Sequence, residues 1–376
     1  MILTNEFIRN LSNIPGWRTD RKIVVFESDD WGSIRMPSRS TYEKLLNAGL
    51  NLNAGDGLRY SLYDTLASAS DFESLFEALD SYKDFKGTSA VFTALCVVAN
   101  PDFKKIRESG FQRYYYEPFT ETLKRYYGNE GVFDLWKEGI TRGVFKPQFH
   151  GREHLNVTAW ITALNENHRE THLAFNEGIW AFVPSDLQKG LEYEAAFQVI
   201  GEKDIEAHEE IIKDGLDLFE RLFGYKAEYF VPPNGQINNS LNIVCRNNGI
   251  KLRSASKIQL ESTYYGRTKR RFHWLGQKDK SGIRYITRNC FFEPSQPGRD
   301  WVDSCLSDMR IAFKFHKPAI ISTHRVNYIG VHDVSNRMNG LNNLRRLLAN
   351  IRKTWPDIEF MTTDQLGYII DGINHS

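Results

Sequence analysis

The sequence contains few cysteines and no paired cysteine motif. Only 4 of its 376 residues are cysteine, and they are widely scattered. Without a Cys-x-x-Cys pair or a closely spaced set, neither a zinc knuckle nor a disulfide framework is indicated. We therefore expect four free, buried thiols, at Cys96, Cys245, Cys290 and Cys305.

The sequence also lacks an excess of one charge and a long hydrophobic run. Its 48 basic and 47 acidic side chains give a net charge of +1, so composition shows no electrostatic footprint for nucleic acid or an anionic membrane. The start of the chain lacks a basic segment followed by a continuous apolar run, and no later stretch is long enough to cross a bilayer. We expect a soluble, cytoplasmic protein with no nucleic-acid partner and no transmembrane segment. The sequence leaves the oligomeric state open.

Apolar and aromatic residues, in contrast, are plentiful. They make up 41% and 13% of the chain, which is enough for a large buried core. No internal repeat, low-complexity tract or linker rich in glycine, serine and proline divides the sequence. We expect a single domain over residues 1–376, with a core of about residues 21–370.

Short runs of β-branched and aromatic residues alternate with longer segments of helical periodicity. This pattern is typical of βα units around a parallel sheet, and it predicts an α/β protein with enough strands for a barrel. Strands are predicted at residues 22–28, 89–98, 146–150, 227–231, 251–256, 282–288, 319–323 and 358–361. Long helices are predicted at residues 41–47, 71–82, 204–223, 301–317 and 336–355. Residues of about 37–145, including the aromatic and charged segment 111–127, are expected to form an insertion over the barrel mouth.

An acidic pair closes the first predicted strand, and a histidine pair follows a later one. A hydrolytic zinc-like ion usually takes three protein ligands from histidine and carboxylate and keeps one position for water. Asp30, His150 and His154 supply such a set. Two histidines four residues apart lie on one face of a helical turn, so we expect a helical turn to bring these rings together. Asp29 is then free to act as a base.

Four motifs follow one another along the chain: Asp29-Asp30-x-Gly32, His150-x-x-x-His154, Pro232-Pro233-x-Gly235, and a strand that ends in His324. In this order they resemble the polysaccharide deacetylase family, also called the NodB-homology or carbohydrate esterase family 4 fold. Residues 360–366 resemble the strand-to-helix ending of that domain, so the resemblance spans about residues 21–370. It implies a distorted (β/α) barrel, usually of seven strands, that binds zinc or a related divalent ion. It also implies hydrolysis of N- or O-acetyl groups on an acetylated carbohydrate.

The expected mechanism is metal-assisted removal of an acetyl group. Asp29 takes a proton from the attacking water, and His324 donates one to the departing amine or hydroxyl. The two roles need opposite protonation states, which predicts a bell-shaped pH profile. Candidate substrate-binding residues are Trp31, which could stack on a sugar ring, together with Arg152, Pro233, Asn234 and Arg288.

The chain departs from the family pattern at two places. The third motif usually starts with an arginine that orients the base, whereas this chain has Val231. Arg288 or Arg152 is a candidate for the missing cation, because a nearby positive charge keeps Asp29 ionised. The fourth family motif is not recognisable, although residues 289–294 fall in the corresponding place.

Two other functions remain open. One is a metal-independent glycosidase that uses two carboxylates, Asp29 or Asp30 together with Asp364. The other is a catalytically silent relative that binds glycan, in which Val231 marks a decayed site. A second His-x-x-x-His pair, His168 and His172, follows helical sequence, and we expect it to be structural.

Overall fold

The computed structural model describes residues 10–53, 57–128, 131–185, 191–264 and 267–372. Within them the strands are β1 (Lys22–Trp31), β2 (Phe92–Cys96), β3 (Ala99–Pro101), β4 (Tyr116–Pro118), β5 (Phe145–Phe149), β6 (Tyr229–Phe230), β7 (Leu252–Ser254), β8 (Ile258–Ser262), β9 (Thr268–Phe272), β10 (Arg284–Ile286), β11 (Cys290–Phe291), β12 (Ala319–His324) and β13 (Ile358–Phe360).

Nine of these strands form one parallel sheet. Its main path runs in the order β10-β7-β6-β5-β2-β1-β12-β11, and β13 pairs with β1 beside that path. The eight-strand path is a half-barrel, and within the described part of the chain its end strands β10 and β11 do not pair with each other. The predicted α/β barrel fold is confirmed, as an open and distorted form. Two antiparallel hairpins, β3-β4 and β8-β9, lie outside this sheet.

The helices of the described residues connect and cover the strands. They are Arg39–Asn47, Gly57–Tyr63, Ala69–Asp80, Phe103–Glu108, Phe119–Tyr127, Val132–Arg142, Val157–Asn165, Arg169–Asn176, Asp204–Phe223, Asn242–Asn247, Trp301–Lys314, Val334–Thr354 and Thr363–Ile370. All five predicted helices are present, and all eight predicted strands are present with shifted ends. The helix Thr363–Ile370 agrees with the strand-to-helix ending that the resemblance implies, whereas the other seven helices, the two hairpins and β11 were not predicted.

The central strand β1 shows why this sequence forms a buried parallel sheet. Residues 23–26 are a continuous apolar run, and their side chains are fully buried, as expected where helices cover both faces of a sheet. β1 pairs in register with β12, so that Val24 lies opposite Ala319 and Asp29 lies opposite His324. The carboxyl ends of these two strands therefore bring an acidic and a basic side chain together.

The region of residues 37–145 contributes both to the sheet and to its carboxyl edge. It supplies β2, which pairs with β1 and β5 in the middle of the sheet. Segment 111–127 contains β4 and the helix Phe119–Tyr127. β4 pairs with β3, the strand that follows β2 in the chain. The description of this region as an insertion within a single domain stays a prediction.

The four cysteines are free and buried, as predicted. None of the described helices is both long and apolar enough to cross a bilayer.

Candidate metal centre and active site

A cavity of about 1200 Å³ lies at the carboxyl ends of the sheet strands. Residues at or directly after the ends of six strands line it, as is usual for the sites of α/β barrels. These residues include Asp29 of β1, His150 after β5, Val231 after β6, Ser254 of β7, Phe291 of β11 and His324 of β12.

Asp29 and Asp30 both line this cavity although they are neighbours in a strand. In a regular strand, successive side chains point to opposite faces. The pairing of β1 with β2 is irregular between Ser28 and Trp31, and Asp30 has a left-handed backbone with φ of 75°. Such an irregularity redirects side chains, which explains how two consecutive carboxylates serve one site.

The loop after β5 brings the two motif histidines together. Residues 150–156 are not helical, so the expectation of a helical turn is wrong. Gly151 instead turns the chain with φ of 112°, and a Cβ there would lie 3.1 Å from the Glu153 carbonyl oxygen. The centroids of the His150 and His154 rings are consequently 5.1 Å apart, and the ring planes are inclined at 64°.

Asp30, His150 and His154 form a compact, buried group. One ligand atom from each lies within 4.8 Å of the others, and both histidine Nε2 atoms lie 3.4 Å from Asp30 Oδ1. Bond lengths of about 2.0–2.1 Å in a tetrahedral zinc site put neighbouring ligand atoms about 3.3 Å apart. The observed spacing therefore fits a divalent ion of that kind.

The hydrogen bonds and protonation states of the histidines also fit a metal. His150 Nδ1 lies 2.7 Å from the Val231 carbonyl oxygen and must donate to it, which leaves the Nε2 lone pair free. That Nε2 is buried and has no hydrogen-bond partner among the described residues. Burial lowers the pKa of His154 to about 4, so its ring is neutral at pH 7, as metal binding requires.

Arg288 holds Asp29. Its two terminal nitrogens donate to the two carboxylate oxygens, each at 2.6 Å, and its Nε donates to Glu27 at 2.6 Å. Burial raises the pKa of Asp29, but the charge and hydrogen bonds of Arg288 outweigh this and hold the pKa below its usual value. Of the two arginines considered as replacements for the family arginine, Arg288 is the one that contacts the carboxylate.

His324 lies opposite Asp29 and is fixed by a residue that sequence analysis missed. Its Nε2 is 3.8 Å from Asp29 Oδ2, and its Nδ1 is 2.6 Å from Glu293 Oε1. Burial lowers the pKa of His324, but Glu293 and the two aspartates outweigh it and raise the pKa to about 9. His324 is thus a protonated donor at neutral pH. Glu293 falls within residues 289–294, where the unrecognised fourth motif was expected.

Three predicted substrate-binding residues do not line the cavity. Trp31 is 2% exposed and packs among Phe72, Trp136 and Phe145, so its indole cannot stack on a sugar. Arg152 pairs with Glu153 and Asp214. Pro233 is buried in the turn beneath Gly151. These three expectations are therefore corrected.

Asn234 and Arg288, in contrast, do line the cavity. Asn234 has a left-handed backbone with φ of 52° and donates to Glu192 at 3.1 Å. Sequence analysis also missed Arg35, Arg59 and Tyr60, which line the cavity as well. Each lies in a segment without a recognisable motif, so only the fold brings them to the site.

The second histidine pair and Asp364, the second carboxylate of the glycosidase hypothesis, are not among the residues that line the cavity. His168 begins the helix Arg169–Asn176 and accepts from the Thr171 backbone, while His172 contacts the Leu164 carbonyl oxygen at 2.8 Å. Asp364 is in the helix after β13 and does not line the cavity. The glycosidase hypothesis that pairs it with Asp29 or Asp30 therefore loses its second carboxylate.

Comparisons with known proteins give similarity of fold. No protein-family model matches the chain, and no curated protein sequence matches it. A probable polysaccharide deacetylase from Pseudomonas aeruginosa PAO1 is 10% identical with a TM-score of 0.46, over 92% of this chain and 90% of that one. The α-amylase AmyC from Thermotoga maritima is 10% identical with a TM-score of 0.46, over 96% and 76%. At these values the likeness does not extend to function.

Proposed function

We propose that this protein is a metal-dependent hydrolase that removes acetyl groups from a carbohydrate. The observation that carries the proposal is the buried Asp30, His150 and His154 group beside Asp29 and His324 in one cavity. The order of these residues along the chain resembles that of the polysaccharide deacetylase family. A divalent ion, with zinc favoured by the donor set, would polarise the acetyl carbonyl and activate water.

The side chains of this chain supply the remaining chemistry. Asp29, kept ionised by Arg288, accepts the proton of the attacking water. His324, kept protonated by Glu293, donates a proton to the sugar nitrogen or oxygen as the acyl bond breaks. The products are acetate and the free amine or hydroxyl.

The hypothesis of a silent glycan-binding relative is less well supported. It rested on Val231, which replaces the arginine that usually orients the base. Arg288 contacts both oxygens of Asp29 from a different strand end, so the loss at position 231 does not leave the base without a cation. The Val231 backbone, in addition, holds His150.

Elemental analysis combined with an acetate-release assay tests the proposal. We expect one divalent ion per chain in the wild type and none in Asp30→Ala, His150→Ala or His154→Ala. His168→Ala, in the second histidine pair, is the matched control and should keep its ion. Acetate release from acetylated amino sugars and O-acetyl sugars should follow the metal content. A wild-type protein that neither contains nor takes up an ion would overturn the proposal.

A further inference from the structure

The cavity extends away from the metal centre to a second polar region. Besides the catalytic residues, it is lined by Ser12, Asn13, Ser254, Ser256, Lys257 and Asn289. Lys257 lies just after β7 and donates to Ser12 Oγ at 3.0 Å and to Asn13 Oδ1 at 3.4 Å. Asn289 also donates to Asn13, at 3.4 Å. We call these six residues the lysine subsite.

Lys257 differs from the arginines that line the same cavity. Arg35 contacts Glu194, Arg59 donates to Glu293 at 2.6 Å, and Arg288 is paired with Asp29. Arg299 is exposed to solvent. Lys257 is only partly exposed, and no carboxylate of the described residues lies within ion-pair distance of its ammonium. Its contacts are neutral hydroxyl and amide oxygens.

A partly desolvated ammonium without a counter-charge is unfavourable. Burial accordingly lowers the pKa of Lys257 to about 8, so most of the side chain is still charged at pH 7. Ionisable groups whose pKa is shifted by burial cluster at the functional sites of proteins. The other polar residues of the subsite, among them Ser254, Ser256 and Asn289, are neutral and add no negative charge.

We propose that the lysine subsite binds an anionic substituent, a carboxylate or a phosphate, of the substrate. The inference rests on the proposed function for its orientation, because the acetyl group must lie at the metal centre of the same cavity. The preferred substrates are then acidic acetylated sugars. The subsite is joined to the catalytic residues through Asn289, which directly follows Arg288.

Binding of simple sugars tests this inference without requiring turnover. Glucuronate, glucose 6-phosphate and glucose are titrated calorimetrically into protein treated with a chelator, so that a metal ion cannot bind the anion. We expect at least one of the two anionic sugars to bind about 10-fold more tightly than glucose, which is about 1.4 kcal/mol. A preference for glucuronate identifies a carboxylate, and a preference for glucose 6-phosphate identifies a phosphate.

Three variants locate the preference. Lys257→Met should abolish it, and Lys257→Arg should keep it. Lys251→Met is the matched control, because it removes an exposed lysine next to the same strand that is paired with Glu228 at 2.6 Å. Lys257→Met should also unfold at the same temperature as the wild type or higher, because it removes an unpaired charge. Lys257→Gln offers a second neutral variant if Lys257→Met does not fold.

The outcomes are distinguishable from those of the proposed function. Equal binding of glucose and both anionic sugars to the wild type, or an anion preference that survives in the neutral variants, overturns the subsite. A protein that prefers anionic sugars through Lys257 but releases no acetate leaves the subsite standing and contradicts the deacetylase proposal.

Discussion

The two halves of the candidate active site differ in how completely their buried polar atoms are paired. In the acid-base half, formed by Asp29, His324, Arg288 and Glu293, no buried side-chain nitrogen or oxygen lacks a hydrogen-bond partner. In the ligand half, formed by Asp30, His150 and His154, the Nε2 atom of His150 that faces Asp30 is buried without a hydrogen-bond partner among the described residues.

The difference agrees with the different requirements of an acid-base pair and of a set of metal ligands. A base and an acid must be fixed in position and in protonation state, and ion pairs achieve both. A ligand set must instead present free lone pairs, which are unfavourable when buried unless something outside the chain binds them. The side chains of the acid-base half thus satisfy one another, whereas the ligand half has a free lone pair that a divalent ion could bind.

The largest expected effect comes from removing a ligand. His150→Ala should lose the bound ion and lower the rate of acetate release by at least about 1000-fold, because polarisation of the carbonyl is lost. Adding a chelator to the wild type should give the same loss, and adding zinc should restore the wild type alone. A chelated protein at full activity would contradict the assignment of the ligand half.

Breaking the acid-base half should affect stability most. Arg288→Met removes the cation that donates hydrogen bonds to the buried Asp29 and Glu27 carboxylates, and should lower the free energy of unfolding at pH 7 by about 3–5 kcal/mol. The pKa of Asp29 is depressed in the folded wild type. The ion pair with Arg288 therefore stabilises the folded state at pH values above the pKa of Asp29 in the unfolded chain, about 4. The difference between variant and wild type should therefore shrink as the pH falls below about 4.

Urea unfolding across this pH range measures the effect. The matched control is Arg284→Met, on β10, whose ion pair with Asp371 is nearer the surface. That variant should lose about 1 kcal/mol or less. Equal losses in the two variants would show that the Asp29 pair is not specially dependent on its cation.

Glu293→Gln sharpens the assignment of the acid. The wild-type pKa of His324 is raised to about 9, so activity that needs its proton should persist below this pH and decline as the pH rises through it. Glutamine keeps an acceptor but removes the charge, so the pKa of His324 should fall toward its unperturbed value of about 6.5. The alkaline limb of kcat/KM should then move to lower pH.

The stability of the folded state should show the same titration. A histidine whose pKa is raised in the folded state stabilises that state fully at pH values below its pKa in the unfolded chain. This contribution to stability is lost as the pH rises through its pKa in the folded state. Nuclear magnetic resonance of the His324 ring gives an independent measure of its pKa in both proteins. An alkaline limb that does not move in Glu293→Gln would assign the acid to a different group.

The smallest effect is expected at the second histidine pair. His172→Ala removes the hydrogen bond to Leu164 and the edge contact with Phe111, which together should lower the free energy of unfolding by about 1–2 kcal/mol. Metal content should be unchanged. Loss of the ion in this variant would show that spacing alone, without the site geometry, is sufficient for binding.

The fold was predictable where a strand or helix carries its own pattern. β1 and β12 contain the apolar runs 23–26 and 319–321, β2 is apolar except for Thr93, and the helix Asp204–Phe223 was predicted with the same ends. β11 has only two residues, and β9 is mostly charged, so neither has the alternation that indicates a strand. Their pairing depends on contacts with distant segments.

The site was predictable where its residues are close in sequence. Asp29 with Asp30, and His150 with His154, are short motifs that follow strand ends. Arg288 is 259 residues from Asp29, so the sequence could name it only as one of two candidate cations. Glu293 contacts Arg59 across 234 residues, and no spacing rule predicts that pair. The prediction for Trp31 was wrong although Trp31 directly follows Asp30, because its indole packs against Phe145 in the core and not in the cavity.

The left-handed backbone of Asp30 has a consequence for how this protein can evolve. A residue other than glycine in that conformation costs about 1–3 kcal/mol, and here the strain is retained at a carboxylate that a merely structural strand end would not need. Replacement by glycine would relieve the strain and remove the carboxylate in one step. Under the proposed function, selection for thermal robustness alone would favour glycine at this position, whereas selection for metal-dependent hydrolysis would favour aspartate.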